Sequence, residues 1–203
     1  MRARDNPFAT ARVHRIRYQF DGLTWDQFMA RLAERNYRGA IVGREGAGKS
    51  TLLEDLRPRL VGRGFEPVPL RLTREAPRFP RAVLRALAAT LTRRHVVLLD
   101  GAEQMSPWAR WSFRWRVRRA GGLILTAHRT GLLPTVLACD TTPELLSDIA
   151  GRLLGADHAL SREEIERLFR RHCGNVREAL RELYDTSSTQ PADARIVGLP
   201  ATR

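Results

Sequence analysis

The sequence predicts an α/β protein in which helices cover a parallel sheet and a small all-helical appendage ends the chain. Three observations carry that expectation. A glycine-rich turn, "GREGAGKS" at residues 43–50, stands between a short apolar run and a helical one. Apolar runs of strand length then alternate with helix-period segments as far as Asp140. From about Thr142 onward, three helical segments follow one another with no strand between them.

Taken in order, "LTWDQFMARLAERN" opens on a capping-box pattern, Thr24 with Gln27, and sets Leu23, Phe28, Leu32 and Ala33 at roughly helical spacing. "YRGAIVG" is a short apolar strand ending at Gly43. The helix that opens near Ser50 is expected to bend or end at Pro58, because proline removes a donor and crowds the carbonyl four residues back. "PVPLRLT" at residues 67–73 reads as a second strand and "PRAVLRALAATLTRR" as a covering helix. "HVVLLD" at residues 95–100 is the continuous apolar run of a strand buried on both faces. In "SPWARWSFRWRVRRAGG", Ser106 is the N-cap, Pro107 the first helical residue and Gly121 the stop. "GLILTA" and "PTVLACD" supply two further strands.

In the helical appendage, "TPELLSDIAGRLLG" puts Leu145, Leu146, Ile149 and Leu153 on one face. "SREEIERLFRRHCG" carries a second capping box, Ser161 with Glu164, and "NVREALRELYD" gathers Val176, Ala179, Leu180, Leu183 and Tyr184. The expected organisation is an N-terminal segment at 1–22, an α/β core at 23–142, a helical lid at 143–186 and a disordered polar tail at 187–203.

The chain's 203 residues suffice for one such core with its appendage and not for two full domains. No apolar run approaches a membrane span, and the N-terminus lacks the apolar centre of a secretory signal. Two cysteines, Cys139 and Cys173, exclude a disulfide scaffold and point to a reducing, cytoplasmic setting. A net charge of +13 should draw polyanions. Lys49 is the only lysine among the 35 basic residues, however, and a GC-rich coding sequence also favours arginine, which weakens the argument for nucleic acid. The one lysine stands where a compact ammonium must reach phosphates, a task that arginine's rigid fork does badly.

"GREGAGKS" fits the Walker A pattern in full, after a strand and before a helix. Gly43, Arg44, Glu45, Gly46, Ala47 and Gly48 would turn their backbone amides inward as an anion nest, at the positive end of the following helix. Lys49 would neutralise phosphate charge, Ser50 would ligate Mg2+, and Thr51 would support it. Asp100, at the end of "HVVLLD", is the Walker B acid, placed to hold the metal. Many such ATPases place a glutamate directly after that aspartate, whereas this chain reads "DGAEQ". Glu103 either reaches the attacking water or is an ordinary solvated residue. In "LILTAHR", Thr126 would hydrogen-bond the γ-phosphate or the water, and Arg129 would contact the γ-phosphate in cis or in a neighbouring subunit; His128 reads as a loop residue.

Together "GREGAGKST", "HVVLLDGAEQ", "LILTAHR" and "CGNVREALRELYD" resemble the AAA+ and STAND branch of P-loop ATPases, and the lid segment is similar to the small ATPases of secretion and transposition systems. The resemblance covers roughly residues 22–184. It implies a three-layer P-loop sandwich of strand order 5-1-4-3-2, ATP with Mg2+ between core and lid, and Arg177 as a sensor-2 arginine. It also implies a protein partner and a nucleotide-dependent homo-oligomer. GTP is disfavoured, since the guanine-reading Asn/Thr-Lys-x-Asp needs a second lysine.

Trp108, Trp111 and Trp115 line one face of their helix, opposite Phe113 and Val117, with Arg110, Arg114 and Arg118 along a flank. Intramolecular burial of the tryptophans is the first expectation, a protein interface the second and nucleic acid the third. Three readings of the whole follow: an ATPase or ATP-dependent switch, a P-loop small-molecule kinase, and a nucleic-acid-binding adaptor with a degenerate nucleotide site.

Overall fold

A computed structural model describes Phe8 and residues 16–154 and 160–189, with side chains through residue 186. The chain divides into two units, Arg17–Asp140 and a second from Thr141 onward whose core also takes in Phe8.

In the first unit the elements run α1 (Trp25–Glu34), β1 (Arg38–Gly43), α2 (Lys49–Val61), β2 (Glu66–Arg71), α3 (Arg81–Thr90), β3 (His95–Asp100), a 3-10 turn (Ala102–Gln104), α4 (Pro107–Arg116), β4 (Gly122–Ala127) and β5 (Thr135–Cys139). All pairings are parallel, in the order β2-β3-β4-β1-β5. Read from the other edge this is 5-1-4-3-2, the expected order. Central strands face helices on both sides and so are continuously apolar; β4 is buried at every position. Edge strand β2 is half-exposed and carries Pro67 and Pro69. The amides of Glu66 and Leu72 donate to the β3 side, so the odd-numbered residues between them face the open edge, where a missing N–H costs nothing.

Alternate residues of each strand feed two cores. Ile41, Val96, Leu98 and Ile124 pack under α1 and α2 with Phe28, Leu32, Leu52 and Leu56, while Val42, Val97, Leu99, Leu123 and Leu125 pack with Phe113 and Val117 of α4. Helix α2 continues through Pro58 for one more turn, to Val61. The return from β4 to β5 spans only residues 128–134. Thr135 pairs with Ala40 at the level of Leu125, so the chain steps back by only about two residues, and these seven bent residues make the crossover without a helix.

The second unit comprises α5 (Pro143–Leu154), α6 (Arg162–Arg171) and α7 (Val176–Thr189), packed around Leu146, Ala150, Ile165, Leu168, Ala179 and Leu180. The Ser161–Glu164 capping box closes as read, and Asn175 Oδ1 accepts the Glu178 amide at 3.2 Å to cap α7. Gly174, at φ 81°, takes the left-handed turn between the two helices, so "GN" in "CGNVRE" has a structural role of its own. Helix α7 runs to Thr189, beyond the point where the tail was expected to begin; residues 190–203 lie outside the described residues.

Candidate functional site

The glycine turn leaves β1 at its C-terminal end and enters α2, as a phosphate nest requires. Gly46 (φ 77°) and Gly48 (φ 75°) both adopt the left-handed conformation that side chains disfavour. A Cβ on Gly43 would lie 2.4 Å from the Cys139 carbonyl oxygen, so β5 presses directly on the start of the loop. Lys49 is the first residue of α2 and is buried; its Nζ donates to the carbonyls of Gly43 at 2.7 Å and Arg44 at 2.6 Å. Burial lowers its pKa, and of the acidic groups that oppose that shift Glu103 acts most strongly. Arg44 and Glu45 are exposed, the latter paired with Arg74 at 3.5 Å, and Thr51 lies half-buried in the first turn of α2.

Asp100 joins the strands to the loop. Its Oδ2 accepts from Ser50 Oγ at 2.8 Å and its Oδ1 from Thr126 Oγ1 at 2.7 Å, with Arg71 Nε at 3.8 Å. Thr126 is buried and also accepts the Gly101 amide at 2.9 Å. Its single proton is committed to Asp100, so in this arrangement Thr126 positions the carboxylate rather than reaching a phosphate.

Glu103 sits in the 3-10 turn, aimed there by Gly101 at φ 83°. Its Oε1 lies 3.4 Å from His128 Nε2, and its Oε2 is buried with no hydrogen-bond partner among the described residues. An orphaned buried carboxylate oxygen marks a place for a donor to arrive. Glu103 is thus half-buried rather than fully solvated, and His128, a residue of the β4–β5 loop as expected, lies beside it. Arg129 is exposed on the bent return to β5. Arg177 is exposed at the start of α7, in the second unit.

One wall of the site has no signature in the sequence. Asp55 of α2 is buried, and its carboxylate accepts from Arg17 Nη1 and from the Tyr18 amide, each at 2.6 Å. That clamp sets the Tyr18 ring against Gly48, where a Cβ would meet it at 3.2 Å, and the phenol donates to Cys139 Sγ at 3.3 Å. Burial, then the neighbouring Cys139, pushes the Tyr18 phenol pKa far up, and burial also raises the Cys139 thiol. Asp55→Ala is expected to cost about 1–3 kcal/mol in a denaturant titration, because the Tyr18 amide loses its buried acceptor. A change within error would show that water replaces the carboxylate freely.

The residues present fit a nucleotide with its magnesium. The left-handed glycines build the nest, Lys49 supplies the cation, and the Ser50 and Asp100 oxygens lie together. Among the described residues no three His, Cys, Asp or Glu side chains could hold a metal by themselves, so the remaining ligands would come from phosphate and water.

No protein-family model matches the sequence, and no curated protein matches it. Solved structures do. RuvB from Thermotoga maritima, described as a Holliday junction branch migration motor, superposes with a TM-score of 0.54 at 18% identity over 84% of this chain and 64% of that one. A point-substituted RuvB from the same organism gives 0.52 at 18%, over 78% of this chain and 58% of that one. This chain thus spans about three-fifths of the length of the RuvB chains it matches, and the likeness shows the fold.

Proposed function

We propose that this chain is an ATP-binding P-loop ATPase of the AAA+ or STAND type, working with Mg2+ in the cytoplasm as a motor subunit or nucleotide-gated switch, with slow or partner-stimulated hydrolysis. What carries the reading is the convergence of Lys49, Ser50, Asp100 and Glu103 at the C-terminal ends of β1 and β3. The amides of residues 43–48 would hold phosphate oxygens, and Lys49 would exchange its two loop carbonyls for them. Ser50 and Asp100 would hold Mg2+, which when bound neutralises phosphate charge. Glu103 would accept the proton of the attacking water through its free Oε2, while His128 fixes its other oxygen. Arg129 and Arg177 would contact the γ-phosphate, in cis or from a neighbouring copy, which gives a homo-oligomer or protein partner its reason.

The kinase reading has less support. Those enzymes place the metal-supporting strand beside the P-loop strand, whereas here β4 lies between β1 and β3. Linkage between binding and stability gives a first test. ATP with magnesium is expected to raise the melting temperature, and either EDTA or Ser50→Ala to remove most of the gain. Equal stabilisation with and without magnesium would contradict the roles of Ser50 and Asp100.

A further inference from the structure

Helix α4 bears a surface that the nucleotide site does not use. Phe113 and Val117 face the sheet, but Trp108, Trp111 and Trp115 are 73%, 65% and 58% exposed, against the expectation that the chain would bury them itself. The short β4–β5 return explains this, since it contains no crossover helix to pack beside α4. A cavity of about 300 Å³ opens there instead, with Trp111, Arg110 and Arg114 among its lining residues.

The tryptophans lie at i, i+3 and i+7, Arg110 and Arg114 run beside them at i and i+4, and Arg118 follows in the turn just past the helix end. Arg118 lies 4.1 Å from the centroid of the Trp115 ring. Arg114 donates to the Leu132 carbonyl at 3.4 Å and makes no ion pair among the described residues. No Asp or Glu occurs between Glu103 and Asp140. The arginines of α6 differ, for Arg162 and Arg170 both pair with Glu166 on their own helix. Among the described residues, Arg110, Arg114 and Arg118 have no carboxylate partner.

We propose that this face is a docking platform for single-stranded nucleic acid, with bases stacking on the tryptophans and phosphates lying along the arginine row. A single strand offers the matching pair of rows, one π-face and one negative charge per nucleotide. A second copy of this chain would bring the same positive face and be repelled. An acidic protein would satisfy the arginines without calling for an aromatic at every turn. The inference deepens the proposed function by naming a partner, but binding to the platform needs no ATP.

The test uses the full chain and fluorescein-labelled oligo(dT) and oligo(U), without nucleotide, over a series of salt concentrations. Binding should weaken linearly on a log–log plot against salt, and tryptophan emission should be quenched. Trp111→Ala with Trp115→Ala should weaken binding at least about tenfold at fixed salt. Arg110→Ala with Arg114→Ala should reduce the salt slope by roughly 0.7 for each phosphate that the arginines no longer neutralise. Both pairs of substitutions are at the surface, and unchanged circular dichroism and ATP-induced stabilisation would confirm intact folds. The proposal is overturned if the unmodified chain shows no salt-dependent binding, or if binding survives both double substitutions. It is also overturned if the tryptophans instead mediate self-association, seen as a mass that falls in sedimentation when they are replaced. Loss of ATP binding with strand binding retained would overturn the ATPase and leave the platform standing.

Discussion

Lys49→Ala is expected to weaken ATP binding by about thirtyfold to several thousandfold, the equivalent of about 2–5 kcal/mol for truncating one partner of a buried charged contact. The fold should survive. Nζ donates to the carbonyls of Gly43, at the end of β1, and Arg44, in the loop, and neither bond joins two strands of the sheet. Titration calorimetry with ATP and magnesium, beside far-ultraviolet circular dichroism, separates the two effects. A folded variant with unchanged affinity would remove Lys49 from the site.

Glu103→Gln should leave ATP affinity within a few-fold and slow hydrolysis by about 10²–10⁴, the usual contribution of a positioned general base. The amide keeps the shape and an oxygen for His128, but it has no basic oxygen at the buried end. Acid-quenched single-turnover cleavage of ATP isolates this step from product release. Unchanged turnover would mean that the water is activated elsewhere, and the inward Oε2 would have only a structural meaning.

How much of this was legible in the sequence depends on how locally each feature is determined. The glycine turn between β1 and α2 was readable because its backbone demands glycine at two left-handed positions, Gly46 and Gly48. The capping boxes at Thr24 and Ser161 were readable for the same reason, since both partners lie within one turn. The strand order came from the family resemblance and not from periodicity, which is blind to which strands are neighbours. Contacts between distant residues left no trace. Tyr18 and Asp55 are 37 positions apart, and nothing local in either segment announces the clamp. His128 is the loop residue it was read as, but its approach to Glu103 was not legible, because the two meet only after β3 and β4 pair. The tryptophan face was misjudged for a related reason: amphipathic spacing shows that a second apolar face exists, but not that the short β4–β5 return leaves it uncovered.

The most direct measurement is single-turnover release of phosphate from ATP by the purified chain in magnesium, with Lys49→Ala and Glu103→Gln alongside. The account predicts magnesium-dependent release by the unmodified chain that is lost in both variants, with ATP still bound by Glu103→Gln. Release that is unaffected by either substitution would contradict the assignment of an ATPase site to Lys49, Ser50, Asp100 and Glu103, whereas ATP bound without any release would leave only the nucleotide-gated switch.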